Sequence, residues 1–409
     1  MLMLKLAWRN ILRNKRRTVL TVLSMFGGYF LLVVSLSVQY GSYQQVIDFF
    51  TRDSTGHAQI TAENYLDRPT LYKTVPATAG FYSDLLAQAN VVSATPRIVS
   101  GALGYGEGKS FPVQVIGIDV AKEAKMSFLV EKVKQGRYLS AEPDADGYSE
   151  VLIGAAAARQ LALGLGDELI LISQGSDGSL ANDLFRVVGI VGSSEGLEAR
   201  NIYLPLQAAQ DFFVLPNQAH YWAVLTDDYH DGPALAAQLD LWLAGSDGLE
   251  AQSWQVVSKE FYQTMTADIE GGYVFYFVIT LLVCIGVLNT VLMSVMERTG
   301  EFGVLKAIGT SPRRLFFLIV IETLLLASLS CLLGLLTVLP VNAYLVNVGF
   351  ALPDPMEVSG VIMDHMKGMW GLKVFLEPAL IIIGSAAVIS FFPALRAARI
   401  VPVEAMRSL

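Results

Sequence analysis

Four long runs of apolar residues divide the chain, and each is long enough to cross a lipid bilayer. A transmembrane helix needs about 20 consecutive, predominantly apolar residues. The runs predict spans at 18–40, 272–296, 313–346 and 373–393. The third run is longer than a bilayer requires, so its helix should tilt or extend beyond the hydrocarbon. The pattern therefore predicts a membrane α-helical protein with four transmembrane helices.

Residues 1–17 show a different pattern, that of an amphipathic helix. Such a helix lies in the membrane interface, where lysines and arginines meet anionic lipid. A purely topogenic role explains the same basic residues equally well, so both alternatives stay open. The basic face contains Lys5, Arg9, Arg13 and Arg16, and the apolar face contains Leu4, Trp8 and Ile11.

Between the first two spans, residues 41–271 alternate short strand and helix patterns, which predicts a large α+β domain. The segment 347–372 between the last two spans is too short to form a domain. Strands are predicted at His57–Thr61, Arg97–Gly101, Phe111–Ile118, Glu168–Ile172, Phe185–Val191, Asn201–Leu204 and Tyr221–Thr226. Helices are predicted at Ala79–Gln88, Ala155–Leu163, Leu206–Phe213 and Pro233–Ala244.

The distribution of charged residues predicts how the chain is oriented across the membrane. The chain is 53% hydrophobic and 16% charged, whereas soluble domains carry about 25% charged residues. Residues 41–271 hold 14 basic and 29 acidic residues, while 1–17, 296–314 and 395–409 together hold 13 basic and three acidic ones. The positive-inside rule then predicts that both termini are cytoplasmic and the large domain is extracytoplasmic. Because the basic residues flank the spans, nucleic-acid binding is not expected.

The segment 297–312, between the second and third spans, is short, charged and helical in pattern. Phe302, Leu305 and Ile308 form a narrow apolar stripe. Gly309 is placed to end this helix in a left-handed conformation, and Ser311-Pro312 is placed to begin the next one. A rigid hairpin of this kind transmits force, which a flexible linker does not. An ordinary interfacial loop is the alternative on the residues alone.

The run ERTGEFGVLKAIG, Glu297–Gly309, resembles the cytoplasmic signature of the FtsX/MacB/LolC-type permeases. It matches E-R-x-x-E-I/F-G-x-L/M-K/R-A-I/L-G at every specified position. LAWRNILRNKRRTVLT near the start and PALRAARIVPVEAMR (Pro393–Arg407, in the tail 394–409) resemble the two ends of that family. TGHAQITAENY (Thr55–Tyr65) resembles its lipoprotein-release branch, and VLIGAAAARQLALGLGDELIL (Val151–Leu171) its general outer domain. The resemblance covers nearly the whole chain.

This resemblance implies the permease subunit of an ABC transporter. Such a subunit pairs with a second permease copy, identical or not, and binds a cytoplasmic ATPase dimer through a coupling helix. Gly303 would permit close backbone approach, and Glu301 and Lys306 would make contacts at the rim. By position, the coupling residues are Glu297, Arg298, Glu301, Phe302, Gly303, Leu305, Lys306 and Gly309.

No G-x-x-x-x-G-K-S/T run occurs in the sequence, so ATP-Mg is expected on a separate ATPase chain. No catalytic set, cofactor or metal site is predicted on this chain. Gly192–Gly196 matches G-x-S-x-G, but the following residues predict a strand, so we interpret it as a turn. Inside the spans, Asn289 and Glu322 are costly in lipid and should face protein. They would bond to each other, to Ser294 or to Thr323, or pack passively.

The leading functional prediction is release or export of lipoprotein or another amphipathic substrate at the periplasmic face of a bacterial inner membrane. One alternative is drug, toxin or peptide efflux with a periplasmic adaptor. A second, of another class, is FtsX-like transmembrane signalling to a cell-wall hydrolase. The identity of the cargo and the involvement of an adaptor stay open.

Overall fold

The computed structural model describes residues 2–401 except 14, 194–196, 247 and 359–360. The tail 402–409 and the centre of the Gly192–Gly196 turn lie outside the described residues. The chain divides into two compact units. The membrane unit comprises Met1–Tyr43, Met265–Ala351 and His365–Leu409. The outer unit comprises Gln44–Thr264 and Leu352–Asp364.

Helices and strands are numbered here in chain order. The helices are α1 Leu2–Arg13, α2 Lys15–Phe50, α3 Ala79–Leu86, α4 Val120–Met126, α5 Ala155–Leu161, α6 Leu206–Phe213, α7 Gly232–Leu243, α8 Trp254–Val257, α9 Lys259–Glu297, α10 Thr299–Ala307, α11 Pro312–Asn347 and α12 Leu372–Ala398. The strands are β1 Ala58–Ala62, β2 Val75–Pro76, β3 Ser93–Gly106, β4 Lys109–Ile118, β5 Val133–Gly136, β6 Ser149–Gly154, β7 Glu168–Gln174, β8 Leu180–Val191, β9 Asn201–Pro205, β10 Gln218–Ala219, β11 Tyr221–Leu225, β12 Leu249–Ser253, β13 Phe350–Val358 and β14 Val361–Met366.

Within the described residues, four helices are long and apolar enough to cross a membrane: α2, α9, α11 and α12. The helices extend beyond the first two predicted spans, since α2 continues to Phe50 and α9 begins at Lys259. At 39 residues, α9 is about 58 Å long, against about 30 Å of hydrocarbon. Hydropathy falls where the bilayer ends, but backbone hydrogen bonding continues, so the apolar pattern marks the lipid boundary rather than the helix end.

The helices of the membrane unit pack closely through two glycines. A Cβ added to Gly28 would lie 2.2 Å from Cγ2 of Val283, and one added to Gly334 would lie 2.4 Å from Cδ1 of Tyr29. Lipid tails are as apolar as the side chains of the helices, so helices in a membrane associate mainly through close packing. Small residues permit this packing because they let two helix backbones approach each other. The apolar core around them includes Met25, Leu32, Val33, Val287, Ile319, Ile382 and Ala386.

In the outer unit, ten described strands form one mixed sheet. The order is β12-β1-β11-β3-β4-β9-β6-β8-β5, and β7 pairs with β3 and β8. The β4–β9 and β6–β8 pairs are parallel and the other pairs in this sheet are antiparallel. Helices are interspersed along the chain, so the predicted α+β class is confirmed.

The seven predicted strands and four predicted helices of this unit all exist. β3 is much longer than predicted because it pairs with β4 from Arg97↔Ile118 to Gly106↔Lys109, and pairing extends a strand beyond its apolar centre. Between the first two spans, the elements that were not predicted are strands β2, β5, β6, β10 and β12 and helices α4 and α8. Between the last two spans, β13 and β14 pair as a two-stranded sheet.

One face of the sheet holds the core of the outer unit. Ile98, Val115, Ile202 and Trp222 are each 0–1% exposed and lie on this face. Side chains of a strand alternate between faces, so Arg97, Val99 and Ile116 lie on the other one, with Arg97 opposite Ile118 and Val99 opposite Ile116.

Candidate functional site

The segment between the second and third spans is a rigid helical hairpin. Gly309 ends α10 in the left-handed region, at φ +98°. The Thr310 N–H donates to the Leu305 carbonyl at 3.0 Å and the Gly309 N–H to the Lys306 carbonyl at 3.1 Å, the two bonds of a Schellman motif. The Ser311 hydroxyl accepts from the Arg314 N–H at the start of α11. The predicted helix end and restart are both confirmed.

Arg298, between α9 and α10, is the centre of a buried charge network in this hairpin. The side chain is 7% exposed. Its Nη1 donates to both carboxylate oxygens of Glu322, at 3.1 and 3.3 Å, and its Nε donates to Glu301 at 3.0 Å. The guanidinium carbon lies 5.1 Å from the ring centroid of Phe302. A buried arginine is stable only when paired, so these contacts fix the hairpin to α11.

Glu301 extends the network to the first helix. Its second oxygen accepts a hydrogen bond from Arg13 of α1. Partial burial opposes ionisation of this carboxyl, but the hydrogen bonds from Arg298 and Arg13 outweigh it and lower the pKa of Glu301 below its ordinary value. Its side chain is 42% exposed. The carboxylate thus bonds within the chain, and its predicted contact at the rim of a partner stays a prediction.

Lys306 connects the hairpin to the end of the fourth span, and its predicted contact at the rim of a partner stays a prediction. Its Nζ donates to the carbonyls of Ala398 and Ile400, at 2.9 and 2.6 Å, where α12 ends. The last carbonyls of a helix lack intrahelical partners, and the helix dipole favours a cation there. Local sequence does not reveal this pairing, because its partners are carbonyls about 90 residues further along the chain.

The predicted apolar stripe is also wrong. Phe302 is 1% exposed and Ile308 is 74% exposed, with Leu305 half-buried between them. Six residues advance a helix by about 600°, so positions i and i+6 differ by about 120° around the axis. Phe302 consequently faces the bundle, while Ile308 and Val304 face outward. Gly303 is buried beside Phe302, and its predicted close approach to a partner backbone stays a prediction.

The remaining sequence-predicted residues divide between the surface and the interior. Glu297 and Gly309 are exposed. Glu322 is buried, and Arg298 pairs with it. Asn289 is exposed on α9, and the expectation that it faces protein stays a prediction. The apolar residues around Asn289 gave no indication of which helix face it occupies.

A second buried charge cluster, which the sequence did not indicate, lies in the outer unit. Arg97 of β3 is 2% exposed and uses all five N–H donors. Two donate to the carboxylate of Glu123, at 2.6 and 3.1 Å. Three donate to the main-chain carbonyls of Arg52, Asp53 and Ser54, at 2.7 to 3.1 Å. These carbonyls belong to the π-helical turn Thr51–Thr55 that follows α2, so Arg97 holds the end of that helix.

Lys132 and Gly56 hold the same turn from other sides. Lys132 is 1% exposed and its Nζ lies 2.5 Å from Oδ2 of Asp53, with Glu198 as its second partner. Gly56 ends the turn at φ +72°, and a Cβ there would lie 2.5 Å from the Val224 nitrogen. We name Arg97, Glu123, Lys132 and the turn Thr51–Thr55 the stalk clasp.

Comparison with known proteins identifies two family domains in the chain. The family described as MacB-like periplasmic core domain matches residues 18–241, and the family described as FtsX-like permease C-terminal matches residues 273–402. These two domains, with four candidate spans, define a membrane permease of the ABC transporter class. The chain belongs to the FtsX/MacB/LolC-type permease family.

Two relatives match almost all of this chain. The lipoprotein-releasing system transmembrane protein LolC of Neisseria meningitidis serogroup B is 22% identical over 97% of this chain and 95% of its own length. The pyoverdine export ATP-binding/permease protein PvdT of Pseudomonas entomophila is 26% identical over 99% of this chain and 59% of its own length. The periplasmic region of MacB from Actinobacillus actinomycetemcomitans is similar at a TM-score of 0.37 and 19% identity, over 53% of this chain and 98% of that one.

Proposed function

We propose that this chain is the permease subunit of an ABC transporter whose ATP is bound and hydrolysed by a separate, cytoplasmic ATPase dimer. The observation that carries the proposal is the network of the hairpin. Arg298, Glu301 and Lys306 bond α10 to α11, α1 and α12 respectively. A force applied to α10 is therefore shared among several helices at once, as a coupling element requires.

The face of the hairpin that points away from the bundle suits a docking partner. Val304 and Ile308 are 45% and 74% exposed, and Arg313 and Arg314 are exposed at the start of α11. An apolar centre with a charged rim is the usual composition of a protein interface. We propose that the ATPase binds this surface, and that Gly303 lies beneath its centre.

The same proposal orients the chain. Both termini and the hairpin are cytoplasmic, in agreement with the excess of basic residues there. The outer unit is then periplasmic, and α2 extends without interruption from the first span to the turn held by the stalk clasp. We propose that ATP-driven movement of α2 reaches the sheet through this clasp. A second permease copy completes the transporter.

For the substrate, we propose a lipoprotein or another amphipathic molecule released at the periplasmic side. The LolC relative, which matches along nearly its whole length, supports this choice. The PvdT relative supports export of a small molecule as the second candidate, with or without an adaptor.

Co-purification from native membranes tests the proposal. A photo-crosslinking residue at Ile308 should capture an ATPase subunit, and the same residue at Leu180, which is 76% exposed in the outer unit, should not. Mass spectrometry of the purified complex should identify the ATPase and any bound amphiphile. Crosslinking at Ile308 to lipid alone, throughout ATP turnover, would refute the docking role.

A further inference from the structure

The outer unit contains a cavity of about 680 Å³ on the sheet face opposite its apolar core. One face of β11, β3, β4 and β9 forms the floor. The register places Val99 opposite Ile116 and Gly101 opposite Gln114, and Ile116 beside Tyr203. All five residues line the cavity. Its volume is in the range of small-molecule sites, about 300–1,000 Å³, and is too small for a folded protein cargo.

The stalk clasp forms one wall of the cavity. Phe50 at the end of α2, and Asp53 and Ser54 in the turn that follows, line it directly. Tyr65 and Leu71 line another side. A molecule in this cavity would therefore touch the end of the helix that contains the first span.

The charged side chains of the cavity offer hydrogen-bond acceptors to a ligand, but they offer no cationic hydrogen-bond donor. Arg97 is the only cationic lining residue among those the structure describes, and all five of its N–H groups are already used. Asp53, Glu123 and Glu198 also line the cavity, and a carboxylate oxygen accepts more than one hydrogen bond. Even counting Lys132, three carboxylates face two cations, so the local charge favours a positively charged ligand.

Aromatic rings favour the same class of ligand. Phe50, Tyr65, Tyr203 and Tyr221 line the cavity, and the face of an aromatic ring attracts a cation. Val99 contributes an apolar surface that a small inorganic cation would leave uncovered. We propose that this cavity binds an organic cation carrying apolar groups. This inference rests on the proposed function in one respect: it takes the cation to be one of the amphipathic substrates that the transporter moves.

Two probe ions of the same shape test the proposal. Tetraphenylphosphonium and tetraphenylborate both carry four phenyl rings and have opposite charges. The full chain in lipid nanodiscs, without ATPase, should bind radiolabelled tetraphenylphosphonium saturably in equilibrium dialysis, at least tenfold more tightly than tetraphenylborate. Empty nanodiscs correct for partition into lipid. Equal binding of the two ions, or no saturable binding of the cation, would overturn the proposal.

Matched variants locate the binding. A Cβ at Gly101 meets nothing within 4 Å, so Gly101→Phe should fill the cavity without a clash and weaken cation binding at least tenfold. Leu103→Phe, at an exposed position on the same face of β3 but outside the cavity, should bind normally. Glu198→Gln should weaken binding several-fold, and Glu168→Gln, at an exposed position outside the cavity, should not.

Thermal unfolding of each variant, followed in parallel, separates lost binding from lost folding. If Gly101→Phe unfolds early, Gln114→Trp, at the exposed position opposite Gly101, replaces it. Unchanged binding in the cavity-filling variant, in a folded protein, would overturn the site. Because no ATPase is present, failure here leaves the docking proposal standing, and failure of the Ile308 crosslink leaves cation binding standing.

Discussion

The pair formed by Arg298 and Glu322 gives the sharpest test of how the hairpin is fixed to the bundle. Both side chains are below 10% exposed and two hydrogen bonds join them. Removing one partner of a buried pair leaves an uncompensated charge and costs about 3–5 kcal/mol, whereas replacing both with apolar residues of similar volume is often neutral. We therefore expect Arg298→Met alone to destabilise the membrane unit by about 3–5 kcal/mol. The double variant Arg298→Met/Glu322→Leu should recover most of that loss.

The two cysteines of the chain provide the assay. Cys331 is buried and Cys284 is half-buried, so a thiol-reactive fluorophore reports the unfolding of the membrane unit in detergent. For a unit of this size, about 3–5 kcal/mol corresponds to a fall in Tm of about 6–20 °C. Arg313→Met is the control, because an exposed arginine on the same hairpin should change stability by no more than about 0.5 kcal/mol. Equal Tm values for the single and double variants would refute the reasoning.

Further predictions cover other parts of the molecule. Gly334→Val should lower the Tm of the membrane unit in the same thiol assay, because its side chain would overlap Tyr29. Lys306→Met should fold but reduce transport per ATP hydrolysed in reconstituted vesicles; unchanged coupling would count against the α12 contact. Because the pKa of Glu301 is lowered, its stabilisation is present at neutral pH and should be lost as pH falls below about 4.5, the ordinary carboxyl value; Glu301→Gln should then match the native protein at acid pH. Arg97→Met should increase hydrogen exchange of the Thr51–Thr55 turn, measured by mass spectrometry.

Under the proposed function, the stalk clasp would transmit movement of α2 to the sheet of the outer unit. The hairpin is bonded to helices of the membrane unit, and Arg97 holds the turn that follows α2. Under this proposal, hydrolysis at the ATPase would change the shape of the cavity in the outer unit.

The sequence by itself determined the features that depend on local chemistry. Four apolar runs fixed the spans, because about 20 apolar residues have no stable place in water. Gly309 and Ser311-Pro312 fixed the end and restart of the hairpin, because left-handed and capping conformations are properties of single residues. Alternation of apolar residues found the main strands of the outer domain.

The tertiary structure alone decided which charges meet. Glu322 pairs with Arg298, Lys306 with carbonyls at the end of α12, and Arg97 with the turn after α2, none of which follows from local pattern. The cavity likewise needs four strands that are distant in sequence, β3, β4, β9 and β11, to lie side by side. The physical reason is common to all these cases: a buried polar group must find a partner, but its own neighbours in sequence do not say which one the fold will supply.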